Sequence, residues 1–160
     1  KPVAGIGNGF QILIESGLLP GALIENLSMK FICKWVTIRV ETEKTAFTQR
    51  WKKGQLSKMP IAHQQGRYFI DEASLKKLHE NDQIVFKYTD ERGAPTESAN
   101  PNGAIENIAG ICNLNRNVVG LMPHPERASE AILSPSKTAD GRAFFESMMD
   151  YLGGRANCQL

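Results

Sequence analysis

The sequence predicts an α/β domain with a mixed sheet. Three observations predict it: a helical pattern close to the start, another at the end, and mostly strand patterns between them. Val3 to Ile6 is short and apolar and glycines follow at once, so it reads as the end of a buried strand. From Phe10 to Leu19, the residues Phe10, Leu13, Ile14 and Leu18 recur at spacings of three and four, the pattern of an amphipathic helix. Gly17 and Pro20-Gly21 end it. Phe31 to Val40 is rich in aromatic and β-branched residues and reads as a strand. Polar, basic Glu41 to Lys58 reads as a surface excursion. Arg67 to Ile70 is a short strand, Asp71 to Asn81 a helix with Leu75 and Leu78 on one face, and Gln83 to Thr89 an alternating strand. Asp90 to Gly103 is loop, with Gly93, Pro95, Asn100, Pro101, Asn102 and Gly103. Asn107 to Cys112 and Val118 to Met122 are apolar strands that the turn from Asn113 to Asn117 joins as a hairpin, and Pro123 and Pro125 stop regular structure. Arg142 to Leu152 is a helix with Phe144, Phe145, Met148, Met149 and Leu152 inward and Gly153-Gly154 as its cap.

Composition narrows the function classes. A chain of 160 residues, 41% of them hydrophobic, is one domain with a real core. Nineteen Lys and Arg against 17 Asp and Glu leave a net charge of +2, which gives no electrostatic case for nucleic acid or an anionic membrane. No apolar run approaches the ~18 residues of a membrane span. Lys1-Pro2-Val3-Ala4-Gly5 is not a signal peptide, because no apolar stretch follows the Lys. Cys33, Cys112 and Cys158 are too few and too scattered for a disulfide scaffold or a zinc site, so a reducing, cytoplasmic setting is expected. The chain opens without a Met, and its first residues read as the middle of a domain.

Two segments carry candidate chemistry. Gly5-Ile6-Gly7-Asn8-Gly9 lies between strand and helix. A dinucleotide fingerprint fails there, since Phe10 occupies the third glycine position and no acidic residue closes a following strand. A nucleophile elbow would set its nucleophile between small residues before a helix N-terminus, but the central residue is Gly7, and on these residues alone a plain glycine turn is the simplest account. The second segment, Met122-Pro123-His124-Pro125-Glu126-Arg127, follows a buried strand. An imidazole with a carboxylate two residues on, in a turn stiffened by two prolines, is the base and orienter of a catalytic triad.

Several strings align in order. They are Gly5-Ile6-Gly7-Asn8-Gly9-Phe10-Gln11-Ile12-Leu13, Gly17-Leu18-Leu19-Pro20-Gly21-Ala22-Leu23, Phe31-Ile32-Cys33-Lys34-Trp35-Val36, Pro60-Ile61-Ala62-His63 and Gly66-Arg67-Tyr68. Asn100-Pro101-Asn102-Gly103, Asn107-Ile108-Ala109-Gly110-Ile111, Val119 to Ala128 and Asp140-Gly141 continue the series. In these the chain resembles the class I glutamine amidotransferases, and within them the small glutaminase subunits of phosphoribosylformylglycinamidine synthases of purine biosynthesis. The resemblance implies a flavodoxin-like mixed sheet with flanking helices. It also implies hydrolysis of glutamine to glutamate and ammonia through a cysteine thioester. By the resemblance, Gly7 stands at the nucleophile position, His124 is the general base and acid, and Glu126 orients it. Asn8 and Gly9 would belong to the oxyanion turn, Gln11 would help hold glutamine, and the loop around His63 would line the same pocket. No cofactor is implied for this chain. ATP and Mg belong to the synthetase partner, a large subunit joined in some systems by a small third one, and neither nucleic acid nor membrane is expected as a partner.

The chain departs from the family pattern in three places. Gly7 stands where the family has its cysteine, Gln64-Gln65 replaces Gly-Glu after His63, and the sequence opens at the strand bearing the nucleophile. Residues 1–154 are therefore expected to form the C-terminal two-thirds of an amidotransferase domain, lacking its N-terminal part, with 155–160 a tail. Such a piece is expected to expose a strand edge and apolar surface. Cys112 imitates an elbow but no glycine and helix follow, Cys33 reads as a small buried hydrophobe, and Cys158 lies in the polar tail. Without a nucleophile the chain is expected to be inactive. The alternatives are a non-catalytic glutamine-binding or scaffolding relative of the same fold and, more weakly, a nucleotide-binding module on the glycine turn. The basic run Arg50-Trp51-Lys52-Lys53 is expected to be a solvated loop rather than a partner contact.

Overall fold

In the computed structural model, which describes residues 1–156, the apolar runs pair into one six-stranded sheet and one small two-stranded sheet. In chain order the elements are β1 (Val3–Ile6), α1 (Asn8–Glu15), β2 (Ala22–Ile24), β3 (Ile32–Val40), β4 (Leu56–His63) and β5 (Arg67–Phe69). Then come α2 (Glu72–Glu80), β6 (Ile84–Thr89), β7 (Ile108–Cys112), β8 (Val118–Leu121) and α3 (Arg142–Ala156). The large sheet runs β1-β8-β7-β6-β3-β4, and β2 pairs antiparallel with β5 apart from it. Within the large sheet, β1 is parallel to β8 and the other neighbours are antiparallel, so the sheet is mixed.

These pairing senses decide where the site can be. Following them across the sheet, β1, β8, β6 and β4 point the same way. The turn after β1 holds Gly7, the turn after β8 holds His124, and β4 ends at His63. All three lie at the carboxyl ends of strands, where open α/β sheets gather their ligand-binding loops.

Several elements depart from the sequence expectation. Helix α1 begins at Asn8 and ends at Glu15, because the chain unwinds at Gly17, where φ is 74°, and Leu18 and Leu19 both bond back to the Leu13 carbonyl. Leu19 is therefore buried and Leu18 exposed, the reverse of the helical reading. The segment read as a surface excursion is packed inside in part. Ala46, Phe47 and Trp51 are buried, and Lys58 lies within β4, a strand the polar start and Pro60 concealed. Pro60 is tolerated because β4 is an edge strand and does not need every N–H. Within Arg50-Trp51-Lys52-Lys53, Trp51 is core and Arg50 pairs with Asp150 and Glu146 on α3, while Arg50, Lys52 and Lys53 stay exposed, so the run is a solvated loop except at Trp51.

Strand β6 does not alternate. Every residue but Lys87 is buried, as a central strand covered on both faces requires. Helix α3 runs through Gly153, so the glycines do not cap it and the expected boundary at 154 falls inside the helix. Its inward side is Phe144 and Ser147 with partly buried Phe145 and Met148, while Met149 and Leu152 face solvent. Cys33 is exposed rather than buried, and Cys158 lies outside the described residues. Among the described residues no strand pairs with the outer side of β1, and Val3 is 42% exposed.

Candidate active site

Gly7 is the hinge of the β1–α1 turn. Its N–H still follows the parallel pairing, donating to the Leu121 carbonyl at 2.9 Å, and its carbonyl accepts the Phe10 N–H at 3.0 Å as α1 begins. Between these bonds the backbone takes φ 55° and ψ −114°, a region in which side-chain-bearing residues are strained. The first N–H groups of α1, on Asn8 and Gly9, have no intrahelical acceptor, as at any helix start. A Cβ built on Gly7 would lie 3.0 Å from His124 Cε1 and 3.2 Å from His124 Nε2. Whatever side chain stood at position 7 would meet the His124 ring at its Cε1–Nε2 edge.

The His124 turn is held from three sides. The backbone N–H of His124 donates to the Pro60 carbonyl on β4 at 2.9 Å, Pro125 opens a short 3-10 turn over Pro125–Ala128, and His124 Nδ1 donates to Glu126 Oε1 at 2.6 Å. Partial burial pushes the Glu126 carboxyl up, but the hydrogen bond from His124, its own backbone and the charges of His124 and Arg127 outweigh it and hold the group below the usual carboxylate range. Glu126 is thus an anion that fixes His124 in the Nδ1–H tautomer. That leaves Nε2, which is buried without a partner, facing position 7.

Beside this pair Asn8, Gln11, Phe31, Ala62, His63, Gln64 and Gln65 line a cavity of about 430 Å³. Gln11 Nε2 donates to the Gln65 carbonyl at 2.8 Å and ties α1 to the loop after β4. A larger hollow of about 860 Å³ lies against α2, away from these turns, and holds neither unpartnered imidazole nitrogen. Of the residues singled out in the sequence, the structure brings Asn8, Gln11 and His63 together in the cavity; Gly7 precedes Asn8, and His124, bonded to Glu126, is near enough for its charge to act on His63. Gly9 is not among the described lining residues, and a Cβ there would meet nothing, so packing does not demand glycine at 9. Cys112 is buried at the end of β7, and burial pushes its thiol up to about 12, so it has no thiolate to offer.

Sequence reasoning missed the residues that hold the loop. Asn26, 1% exposed, donates from Nδ2 to the Lys30 and His63 carbonyls at 2.9 Å each, and its Oδ1 accepts from the Gly66 N–H at 3.1 Å and from His63 Nδ1 at 3.0 Å. Asn102 Nδ2 donates to the Gly66 carbonyl at 2.7 Å. In the sequence Asn26 looks like any turn residue; only its long-range partners show its use.

His63 itself is 5% exposed, and burial together with the His124 charge lowers it to about 4. The folded chain therefore refuses a proton that the unfolded chain takes up below its ordinary value near 6.5. Stability is expected to fall as pH drops from ~6.5 toward ~4, by on the order of 3 kcal/mol in full. Urea unfolding of the unsubstituted chain and of His63→Phe at pH 7 and pH 4.5 checks this, and the variant should lack most of that slope. Glu126, whose value is depressed, stabilises above the carboxylate range and adds its own loss only at lower pH.

Known proteins resemble this chain in sequence and in fold. The sequence profile of the CobB/CobQ-like glutamine amidotransferase domain matches residues 3–152. The chain is 57% identical over 152 residues to the phosphoribosylformylglycinamidine synthase subunit PurQ of Methanosarcina mazei, covering 95% of this chain and 64% of that protein. It is 58% identical over 151 residues to PurQ of Methanocaldococcus jannaschii, covering 94% and 64%. The chain thus spans about 64% of the length of these curated relatives. The structure of PurLQS from Thermotoga maritima matches with a TM-score of 0.78 at 45% identity, covering 95% of this chain and 62% of that one. A putative GMP synthase protein from Thermoplasma acidophilum matches at TM-score 0.55 and 13% identity, covering 99% of this chain and 60% of that one, a likeness of fold alone.

Proposed function

The chain belongs to the CobB/CobQ-like glutamine amidotransferase family, and on that premise we propose that it is the glutamine-site part of a phosphoribosylformylglycinamidine synthase glutaminase subunit, with its nucleophile position filled by Gly7. The observation that carries the reading is the alignment of position 7, His124 Nε2 and Glu126 in one line of contacts. Glutamine would enter the cavity beside Asn8, Gln11 and His63, with its carboxamide carbon toward position 7. With a thiol at 7, the sulfur would attack that carbon, and His124 would hold the thiol proton and pass it to the departing nitrogen. Ammonia would leave, and a glutamyl thioester would remain. Water, deprotonated by His124, would then release glutamate and return the thiol. The N–H groups at the start of α1 would stabilise the oxyanion.

Without that thiol the chain is expected to bind glutamine and not hydrolyse it. The ammonia-receiving partner would be a large synthetase subunit using ATP and Mg, with a small third subunit in some systems; the similarity to a PurLQS chain supports an assembly of this kind. One observation favours a second reading, a non-catalytic glutamine-binding or scaffolding relative: position 7 carries no side chain.

Calorimetric titration with L-glutamine tests the site, and failure to bind overturns the reading. Glutamate release by Gly7→Cys separates a glutaminase lacking one atom group from a relative whose site has no catalytic competence.

A further inference from the structure

His63 and His124 each carry a buried Nε2 with no partner, and both stand at the same end of the sheet. They differ in what holds Nδ1. His124 bonds to a carboxylate, an anion able to pair with an imidazolium. His63 bonds to the neutral amide oxygen of Asn26, which gives the imidazolium no such help.

The Asn26 amide cannot turn over. Its Nδ2 hydrogens point at the Lys30 and His63 carbonyls and its Oδ1 receives the Gly66 N–H, so reversal would set donor against donor and acceptor against acceptor. With oxygen facing the ring, His63 Nδ1 must bear the hydrogen and Nε2 must present a lone pair. Gly66 backs the ring, and a Cβ there would overlap it. A buried acceptor without a partner is destabilising, and His63 is one of the residues that line the cavity. Burial, helped by the nearby His124 charge, keeps His63 neutral, so the lone pair persists when His124 carries the proton.

We propose that Asn26 is a positioning residue that locks His63 in the Nδ1–H tautomer, so that His63 Nε2 accepts a hydrogen bond from the carboxamide N–H of bound glutamine. The inference rests on the glutamine site proposed above. The carboxamide is the donor because position 7 and His124 mark the reacting end of the ligand, and His63 lies within reach of the His124 charge. A fixed acceptor also gives selectivity: the side-chain carboxylate of glutamate has no N–H to offer and would face a lone pair.

The tautomer is read directly by ¹⁵N NMR of the imidazoles in the unsubstituted chain, which needs no variant to fold. The expected result is a protonated Nδ1 and a bare Nε2 on His63, with the Nε2 signal moving on addition of L-glutamine and not of L-glutamate. His63→Phe is expected to lose roughly tenfold in its preference for glutamine over glutamate. Asn26→Asp is expected to charge His63 at neutral pH and to lose the preference for glutamine by a similar factor. An Nε2–H tautomer overturns the inference and leaves the glutamine site standing, as does an unchanged glutamine preference in folded His63→Phe. Absence of glutamine binding by the unsubstituted chain overturns the site and, with it, the role given to His63.

Discussion

Gly7→Cys is expected to release glutamate from L-glutamine on the order of a millionfold faster than the unsubstituted chain, since the members of such a triad act as a unit and one missing member costs nearly the whole effect. The geometry is already present. The new Cβ would sit 3.0–3.2 Å from the His124 ring, beside an Nε2 that has no other partner. The contact is tight and φ is 55°, so the variant is expected to be less stable by ~1–3 kcal/mol, the strain that glycine avoids there. Gain of activity with loss of stability is the signature of this site, and chemical unfolding beside a glutamate assay reads both. His124→Ala sharpens the test. In the unsubstituted chain it should change glutamate release by nothing measurable, because the rate is already at the floor. In the Gly7→Cys background it should abolish the gain. Equal effects in both backgrounds would mean that position 7 and His124 do not act together.

How much of the fold and site is legible in the sequence depends on how local the signal is. The helix of residues 72–80 announces itself through Asp71, whose carboxylate accepts the Ser74 N–H at 3.0 Å, and through the spacing of Leu75 and Leu78. The β7–β8 hairpin is equally plain, because the Asn113 side chain that closes its turn acts within five residues. The His124–Glu126 pair is local too, two residues apart in a turn that prolines fix. What cannot be read depends on distant partners. Trp51 sits among polar and basic neighbours in the sequence, and distant residues such as Phe86 and Phe144 make it core. Asn26 is a turn residue until His63 and Gly66, some forty positions on, supply its bonds. Pro60 hides β4 because a proline forbids a strand interior except at an edge, and edge position is a property of the sheet. The meeting of Gly7 with His124 likewise follows from the parallel β1–β8 register, with Gly5 opposite Gly120, which no spacing rule states.

Trp51→Ala is expected to cost about 3–5 kcal/mol, a large share of the roughly 5–15 kcal/mol that hold a domain of this size together. Trp51 is 2% exposed, meets Phe86 edge-on at 5.7 Å and lies 6.4 Å from Phe144, which in turn stacks on Phe47 at 4.8 Å. These rings fasten α3 to the sheet, and the Arg50 N–H adds a 2.9 Å bond to Ser147 Oγ. The start of α3 then holds the His124 turn: the Gly141 N–H donates to the Ala128 carbonyl at 2.8 Å and Arg142 Nε to the Ser129 carbonyl at 3.2 Å. A cavity at Trp51 therefore loosens the helix behind Glu126 as well as the core. The urea midpoint should fall with little change in slope, and in the Gly7→Cys background glutamate release should fall further than the folded fraction alone accounts for. Arg50→Ala is the control. It removes exposed ion pairs with Asp150 and Glu146 while leaving the rings and the backbone bond in place, so it should move the midpoint little. If Arg50→Ala cost as much as Trp51→Ala, charge on the surface rather than ring packing would be what fastens α3, and the route from Trp51 to the His124 turn would fail.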